Sequence, residues 1–237
     1  MAVQLSRRLR AVADMVTDGM RLVDVGCDHG YLPAALVLEG RIPSAIAMDV
    51  REGPLSRAKE HIRQYGLEDR IETRLSDGLK GLAPGEGDTL VIAGMGGILM
   101  GRILTDCPDT RDSFRELILE PQSDVPDFRR LLRSLGWDIT AESMILEEGK
   151  YYPVMKAEKC PVSMQELYEP EEYVFGRHLL RQKDPVLRSY LDREERICGR
   201  ILTSLANAGG AGADRRRHEI EEEKQLIRAA RKRYESI

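Results

Sequence analysis

RLVDVGCDHGYLP, Arg21 to Pro33, is the stretch on which the reading of this chain depends. Leu22, Val23 and Val25 form a short apolar run with β-branched character. Gly26 and Gly30 bracket a tight turn, and Leu32 to Leu38 continues as an apolar helix. Strand, turn and helix start follow in that order. Glycine belongs in such a turn because a Cβ would keep a ligand away from the backbone. The helix behind it offers unpaired N–H groups and the positive end of its dipole. The spacing Asp24-x-Gly26-x-x-x-Gly30 departs from the G-x-G-x-x-G fingerprint, since Asp28 stands where a second glycine would admit a pyrophosphate. A carboxylate there repels phosphate and suits a ligand with a cationic end.

The next strand, Ser44 to Val50 (SAIAMDV), closes on Asp49. Rossmann-like sites place an acidic residue about 20 residues beyond the glycine turn, where it holds ribose hydroxyls. Asp49 meets that spacing. Together these acidic residues point to S-adenosylmethionine, which carries an amino group, a sulfonium and a ribose but no phosphate, and away from a dehydrogenase. A helix is expected over 53–65 and a short strand over 70–75. Ser76-Asp77-Gly78 then places Asp77 to accept from the exocyclic amine of the cofactor's adenine, or simply to form an Asx-turn.

Asp88 to Gly97 (DTLVIAGMGG) reads as a buried strand over Leu90, Val91 and Ile92, then a backbone-exposed loop at Gly94, Gly96 and Gly97 before a helix over 98–104. Glu116 to Gln122 (ELILEPQ) is a fifth strand, ending at the same crevice, and 125–135 is a helix closed by Gly136. Trp137 to Glu147 and Tyr151 to Glu158 form an antiparallel hairpin. The fold class is α/β: a seven-stranded, mostly parallel sheet with helices on both faces. That domain is expected over 1–160, with 161–237 as a second, helical domain.

Ahead of the first strand, Leu5, Leu9, Val12, Ala13 and Val16 make one face of a helix, and Arg7, Arg8 and Arg10 lie on its other face. Those arginines are placed either to grip phosphates beside the glycine turn or merely to be solvated. At the far end Leu187, Leu191, Ile197, Ile201 and Leu205 form a helical stripe. Asn207 to Ala213 breaks it, and Ile220, Ile227 and Tyr234 recur at heptad spacing, so two helices should fold back as an antiparallel coiled-coil hairpin. Formal net charge is −4, yet from Gly176 onward there are 15 Lys+Arg against 10 Asp+Glu, which leaves 21 against 30 for the rest. The basic part is the tail.

Cys27, Cys107, Cys160 and Cys198 have no C-x-x-C spacing, so free thiols are expected and neither a disulfide framework nor a metal site is suggested. No run approaches the ~18 apolar residues of a membrane span. The first 20 residues lack a continuous apolar h-region, and a cytoplasmic protein is expected.

VDVGCDHGYLP, AMDV, SDGL, IAGMGG and LILEPQ in that order, followed by a heptad tail, resemble the bacterial tRNA (adenine-N1)-methyltransferases that act on position 22 in the D-arm. The first of these segments is similar to motif I of the class I methyltransferases. The resemblance implies a Rossmann-like methyltransferase domain, S-adenosylmethionine as donor, tRNA as substrate and a C-terminal helical domain that helps hold it. It assigns the cofactor to Asp24, Gly26, Cys27, Asp28, Gly30, Asp49, Val50, Asp77, Gly78, Ala93, Gly94, Met95 and Gly96. Asp28, His29 and Tyr31 become the catalytic candidates, and Arg7, Arg8, Arg10, Gly97, Glu120 and Gln122 the tRNA-contacting ones. The Asn/Asp-Pro-Pro-aromatic loop of exocyclic-amine methyltransferases is absent after the fourth strand.

Adenine N1 has a free lone pair, so transfer to it needs alignment more than deprotonation, and no general base is required. The base must first leave its stack. Tyr31, just after the turn, offers a stacking surface worth roughly 1 to 3 kcal/mol, or else packs at the helix start. His29 would donate to the base or a phosphate, or hold a structural hydrogen bond. Three other readings stay open: a class I enzyme acting on a different RNA position, one acting on a protein, and a non-catalytic tRNA-binding protein. Monomer and coiled-coil dimer are equally compatible with the sequence.

Overall fold

The computed structural model describes residues 3–206 and 210–235. Of the expected break at Asn207 to Ala213, residues 207–209 therefore lie outside the described residues, while Ala211 to Ala213 are helical. The chain divides into two compact units between Gln165 and Glu166.

In the first unit, α1 (Arg7–Met15) precedes β1 (Leu22–Val25), α2 (Tyr31–Leu38), β2 (Ala45–Asp49), α3 (Glu52–Gln64) and β3 (Ile71–Leu75). β4 (Thr89–Met95), α4 (Gly97–Asp106), α5 (Pro108–Arg111), β5 (Glu116–Pro121), α6 (Val125–Ser134), β6 (Trp137–Glu147) and β7 (Lys150–Lys159) follow. The seven strands form one sheet in the order β3-β2-β1-β4-β5-β7-β6. β1 to β5 run parallel, while β7 pairs antiparallel with both β5 and β6.

Helices cover both faces, so consecutive strand residues alternate between two cores rather than between core and water. Leu22, Val91 and Ile118 enter the core beneath α1, α2 and α3. Val23, Leu90, Ile92, Leu117 and Leu119 enter the core beneath α4 and α6. α1 is held on the sheet at both ends. The Glu147 carboxylate accepts from the Arg7 N–H at 2.8 Å at its start. Beyond its end, Thr17 donates from both N–H and Oγ1 to buried Glu116, at 2.9 and 2.6 Å, and Lys156 pairs with the same carboxylate at 2.6 Å. Desolvation alone would raise the Glu116 pKa, but Lys156 and the hydroxyl donors outweigh it and leave the group lowered.

Between neighbouring β1 and β4 the chain leaves the sheet on opposite sides, toward α2 and toward α4, at the carboxyl edge of the strands. This is the switch point at which doubly wound folds open a crevice.

The second unit adds two short helices that periodicity did not disclose, α7 (Pro170–Phe175) and α8 (Arg177–Arg181), before α9 (Pro185–Leu205) and α10 (Ala211–Glu235). Asp184 caps α9 by accepting from the Val186 and Leu187 N–H groups at 2.9 and 2.8 Å. α9 and α10 are antiparallel: Tyr234 Oη donates to Asp184 O, Arg231 pairs with Asp192 and Glu195, and Arg217 reaches Leu205 O. Their seam buries Leu187, Leu191 and Cys198 against Ile220, Ile227 and Ala230. Of the expected stripe, Leu187 and Leu191 are buried, whereas Ile197, Ile201 and Leu205 are only half-buried and Cys198 takes the seam in place of Ile197. No helix among the described residues is long and apolar enough to cross a membrane.

Candidate active site

The β1–α2 turn is built as the glycine spacing requires. Gly26 has φ +79°, and a Cβ on it would lie 2.2 Å from Met95 Cε. Its N–H and that of Cys27 both donate to Met48 O, at 2.8 and 2.9 Å, which ties the turn to β2. Gly30, at φ +67°, is the left-handed N-cap of α2. Between them Asp28 also adopts a positive φ, +47°, an uncommon conformation for a side chain with a Cβ and one that concentrates at functional sites. Across the crevice β4 ends in a bulge at Gly94, φ +79°; a Cβ there would sit 3.6 Å from Arg8 Nη1 and 3.7 Å from Gln122 Nε2.

Two adjoining cavities result, of about 240 and 310 Å³, and both are walled by Gly26, Asp28, Ala93 and Gly94. The larger extends between Asp49, Val50, Asp77, Gly78 and Met95. The smaller extends between Asp24, Cys27, His29, Tyr31, Arg8 and Gln122.

Charge is arranged unevenly around this crevice. Asp24, buried at the end of β1, has its carboxyl pushed up to about 7, by burial first and by the nearby Asp49 second. Burial and the neighbouring carboxylates push the Cys27 thiol up as well, so it is not a nucleophile at neutral pH. Asp49 accepts from the Arg51 N–H at 2.9 Å. Asp77 is held low by Lys80, whose Nζ donates to it at 2.6 Å.

The tRNA-contacting candidates separate. Arg8 turns inward and donates from Nη1 to Glu120 Oε2 at 2.5 Å, with its guanidinium 5.6 Å from the centre of the Tyr152 ring. Glu120 is wholly buried, and burial raises its carboxyl although Arg8 opposes the shift. Gln122 lines the smaller cavity. Arg10 does not join them: it forms a two-pronged pair with Glu39 at 3.0 and 2.7 Å, because the helix turns it toward α2. Arg7 is exposed and the Arg10–Glu39 pair lies at the surface, so of the three Arg8 alone turns into the crevice.

Gly97 is buried in the first turn of α4, where a Cβ would meet Ser123 O at 2.6 Å, and this close packing accounts for the glycine. Gly96 is the N-cap of the same helix, against Ser123 Oγ, and neither Gly96 nor Gly30 walls a cavity.

Sequence reasoning missed Arg51 and Leu99, which line the larger cavity, and His61 of α3, whose ring lies 4.8 Å from that of Tyr31. Arg51 was within reach of a local argument, since it follows Asp49-Val50 directly. His61 carried no local signal.

Residues 5–155 match the family described as a methyltransferase domain. A curated relative, the tRNA (adenine(22)-N(1))-methyltransferase of Bacillus subtilis (strain 168), is 36% identical over 156 residues, and the match spans 66% of each chain. Sp1610 of Streptococcus pneumoniae, solved in complex with S-adenosyl-L-methionine, is 32% identical, with TM-score 0.84 over 96% of this chain and 99% of that one. The chain belongs to the tRNA (adenine(22)-N1)-methyltransferase family. The crystal structure of the Bacillus subtilis M1A22 tRNA methyltransferase TrmK covers 96% of this chain and 99% of its own, at TM-score 0.85 and 28% identity. Membership in this family thus extends over both compact units. Asp28, His29 and Tyr31 on one side and Ala93, Gly94 and Met95 on the other line the crevice in this chain.

Proposed function

We propose that this protein transfers the methyl group of S-adenosylmethionine to N1 of adenine 22 in the D-arm of tRNA. The observation that carries this reading is the pair of cavities meeting at Gly26, Asp28, Ala93 and Gly94. One chamber suits the nucleoside end of the donor, the other an extruded base, and their junction is where a methyl group would pass. The cradle fits that donor: left-handed Gly26 and Gly94 leave backbone exposed, and Asp49 stands buried at the end of β2. Asp28 occupies the place where a phosphate would otherwise sit.

When bound, S-adenosylmethionine supplies an electrophilic methyl on a sulfonium sulfur. Asp49 would accept from its ribose hydroxyls and Asp77 from its adenine amine, and Val50 and Leu99 would hold the nucleoside end. Asp24 and Asp28 present negative charge to the amino-acid end. Tyr31 stacks on the incoming adenine, and Gln122 and the Arg8–Glu120 pair offer hydrogen-bonding groups at the edge of that chamber. The N1 lone pair would take the methyl as its bond to the sulfonium sulfur breaks and the neutral thioether leaves, so the chain's part is to align the base and to bear the positive charge that develops on it. Asp28, shared by both chambers, is the carboxylate placed to do so. The helical unit, whose stretch from Gly176 onward carries 15 Lys+Arg against 10 Asp+Glu, helps hold the tRNA body. The cytoplasm, where tRNA matures in bacteria, is the compartment this activity requires.

The test is methyl transfer from labelled S-adenosylmethionine to unmodified tRNA transcripts bearing adenine or guanine at position 22. Incorporation only into the adenine transcript is expected. Equal incorporation into both would remove position 22 from the reading.

A further inference from the structure

We propose that His61 is a positioning residue for methyl transfer, setting from α3 the ring of Tyr31 and the turn that carries it. This rests on the reading above, in which Tyr31 receives the target adenine.

His29, Tyr31 and His61 form a three-ring cluster. Centroids are 5.3 Å apart for His29 and Tyr31, 4.8 Å for Tyr31 and His61, and 5.5 Å for the two histidines, with interplanar angles of 10°, 23° and 25°. Near-parallel, offset rings at these separations attract one another. His61 Nδ1 lies 3.0 Å from His29 O. A carbonyl only accepts, so Nδ1 is the protonated nitrogen and the ring orientation of His61 is set by that bond.

The contact is part of a larger grip. Ala58 and Ile62, on the same face of α3, pack beneath Gly30, where a Cβ would lie 3.2 Å from Ala58 Cβ and 3.9 Å from Ile62 Cδ1. Arg57 Nη2 reaches Asp28 Oδ1 at 3.4 Å. One helix face therefore holds each residue from Asp28 to Tyr31.

Tyr31 itself is more than one-third exposed where it lines the smaller cavity. His29 Nδ1 is buried without a hydrogen-bond partner, so ring packing rather than a bond at that atom fixes its ring. Without the His61 ring, Tyr31 keeps only its stack on His29 and loses its nearer ring neighbour, and a stacking surface in the wrong plane misaligns N1 with the methyl group. His61 does not line either cavity, so it acts through Tyr31.

The experiment compares wild type with His61→Ala, His61→Phe and His61→Gln as full-length proteins. Single-turnover methyl transfer, calorimetric S-adenosylmethionine affinity, and the fluorescence of tRNA carrying 2-aminopurine at position 22 are measured for each. His61→Ala is expected to slow transfer about tenfold and to reduce the stacking-dependent quenching, while cofactor affinity stays within about twofold. His61→Phe, which keeps the ring, should return the rate to within about threefold of wild type. If His61→Ala fails to fold, His61→Gln, which keeps a donor for His29 O without an aromatic ring, takes its place with the same expected loss.

A wild-type rate and quenching in the ringless variant overturn the proposal. So does a parallel fall in cofactor affinity, which would make His61 a support of the cofactor turn instead. Wild-type protein that leaves adenine 22 unmethylated overturns the underlying function and this inference with it, whereas an active wild type with an equally active variant sinks only the role of His61.

Discussion

Asp24 shows how a single residue carries conflicting demands. Its carboxyl is pushed up to about 7 by burial and then by Asp49. The folded state therefore holds its proton more tightly than the unfolded chain, and stability falls as pH rises from about 4 through about 7, the loss being complete only above that. Asp24→Asn should stabilise the ligand-free protein by up to about 4 kcal/mol at pH 8 and by almost nothing at pH 4, read from urea unfolding. The same change should weaken S-adenosylmethionine binding at least about tenfold, since a cationic ligand favours the ionised form. Wild-type affinity should for that reason be lower at pH 6 than at pH 8, with proton release on binding measurable by calorimetry in buffers of different ionisation enthalpy. Arg8 and Glu120 are coupled in another way. Arg8→Ala leaves a buried carboxylate without its cation and should cost about 2 to 4 kcal/mol, part of which Arg8→Ala/Glu120→Ala recovers. Chemical denaturation of the single and double variants checks it. Asp24 and Asp49 were legible because their spacing from the glycine turn is local. The inward turn of Arg8 was not, because Glu120 is far away in the chain and lies beside it only once β5 is in place.

Elements were legible in proportion to their length and regularity. β1, β2, β4 and β5 stood out because a strand covered on both faces is a continuous apolar run. α7 and α8, six and five residues long, are too short to show a helical period, and the stretch between the hairpin and α9 suggested no element. The phase of α9 was read one residue off at Cys198 because its seam is chosen by the antiparallel partner, which periodicity in one helix does not specify. α4 supplies the test at this scale. Gly97→Ala places a methyl 2.6 Å from Ser123 O and 3.2 Å from Asp124 O, so the start of α4 must move away from the β5–α6 loop. Thermal or urea unfolding should show a loss of about 1 to 3 kcal/mol. Cofactor affinity should fall with it, since the Ala93 to Gly96 loop moves with the helix. Unchanged affinity at reduced stability would separate α4 from the site.

For the whole molecule, the division of labour between the two compact units is the question the proposed function raises. In the helical unit Arg193, Arg196 and Arg200 line a concavity of about 800 Å³ on α9. Reversing all three to Glu in the full-length protein should weaken tRNA binding at least about tenfold near physiological salt and reduce the salt slope by about 2 to 3, while S-adenosylmethionine affinity stays within about twofold. A filter-binding titration across salt concentrations reads this directly, and an unchanged slope would remove this face from the tRNA contact. By itself the sequence determined the fold class, the alternation of strands and helices, the glycine turn and the acidic residues that select a cationic, phosphate-free cofactor. Those are written in local spacing and composition, and local sterics and charge enforce them. Only the tertiary structure decided that Arg8 points into the site and Arg10 out of it, that Gly97 serves packing, and that His61 stands against Tyr31. Each of these depends on which distant element lies alongside, and that is settled by how helices and strands pack together, not by any window of the chain.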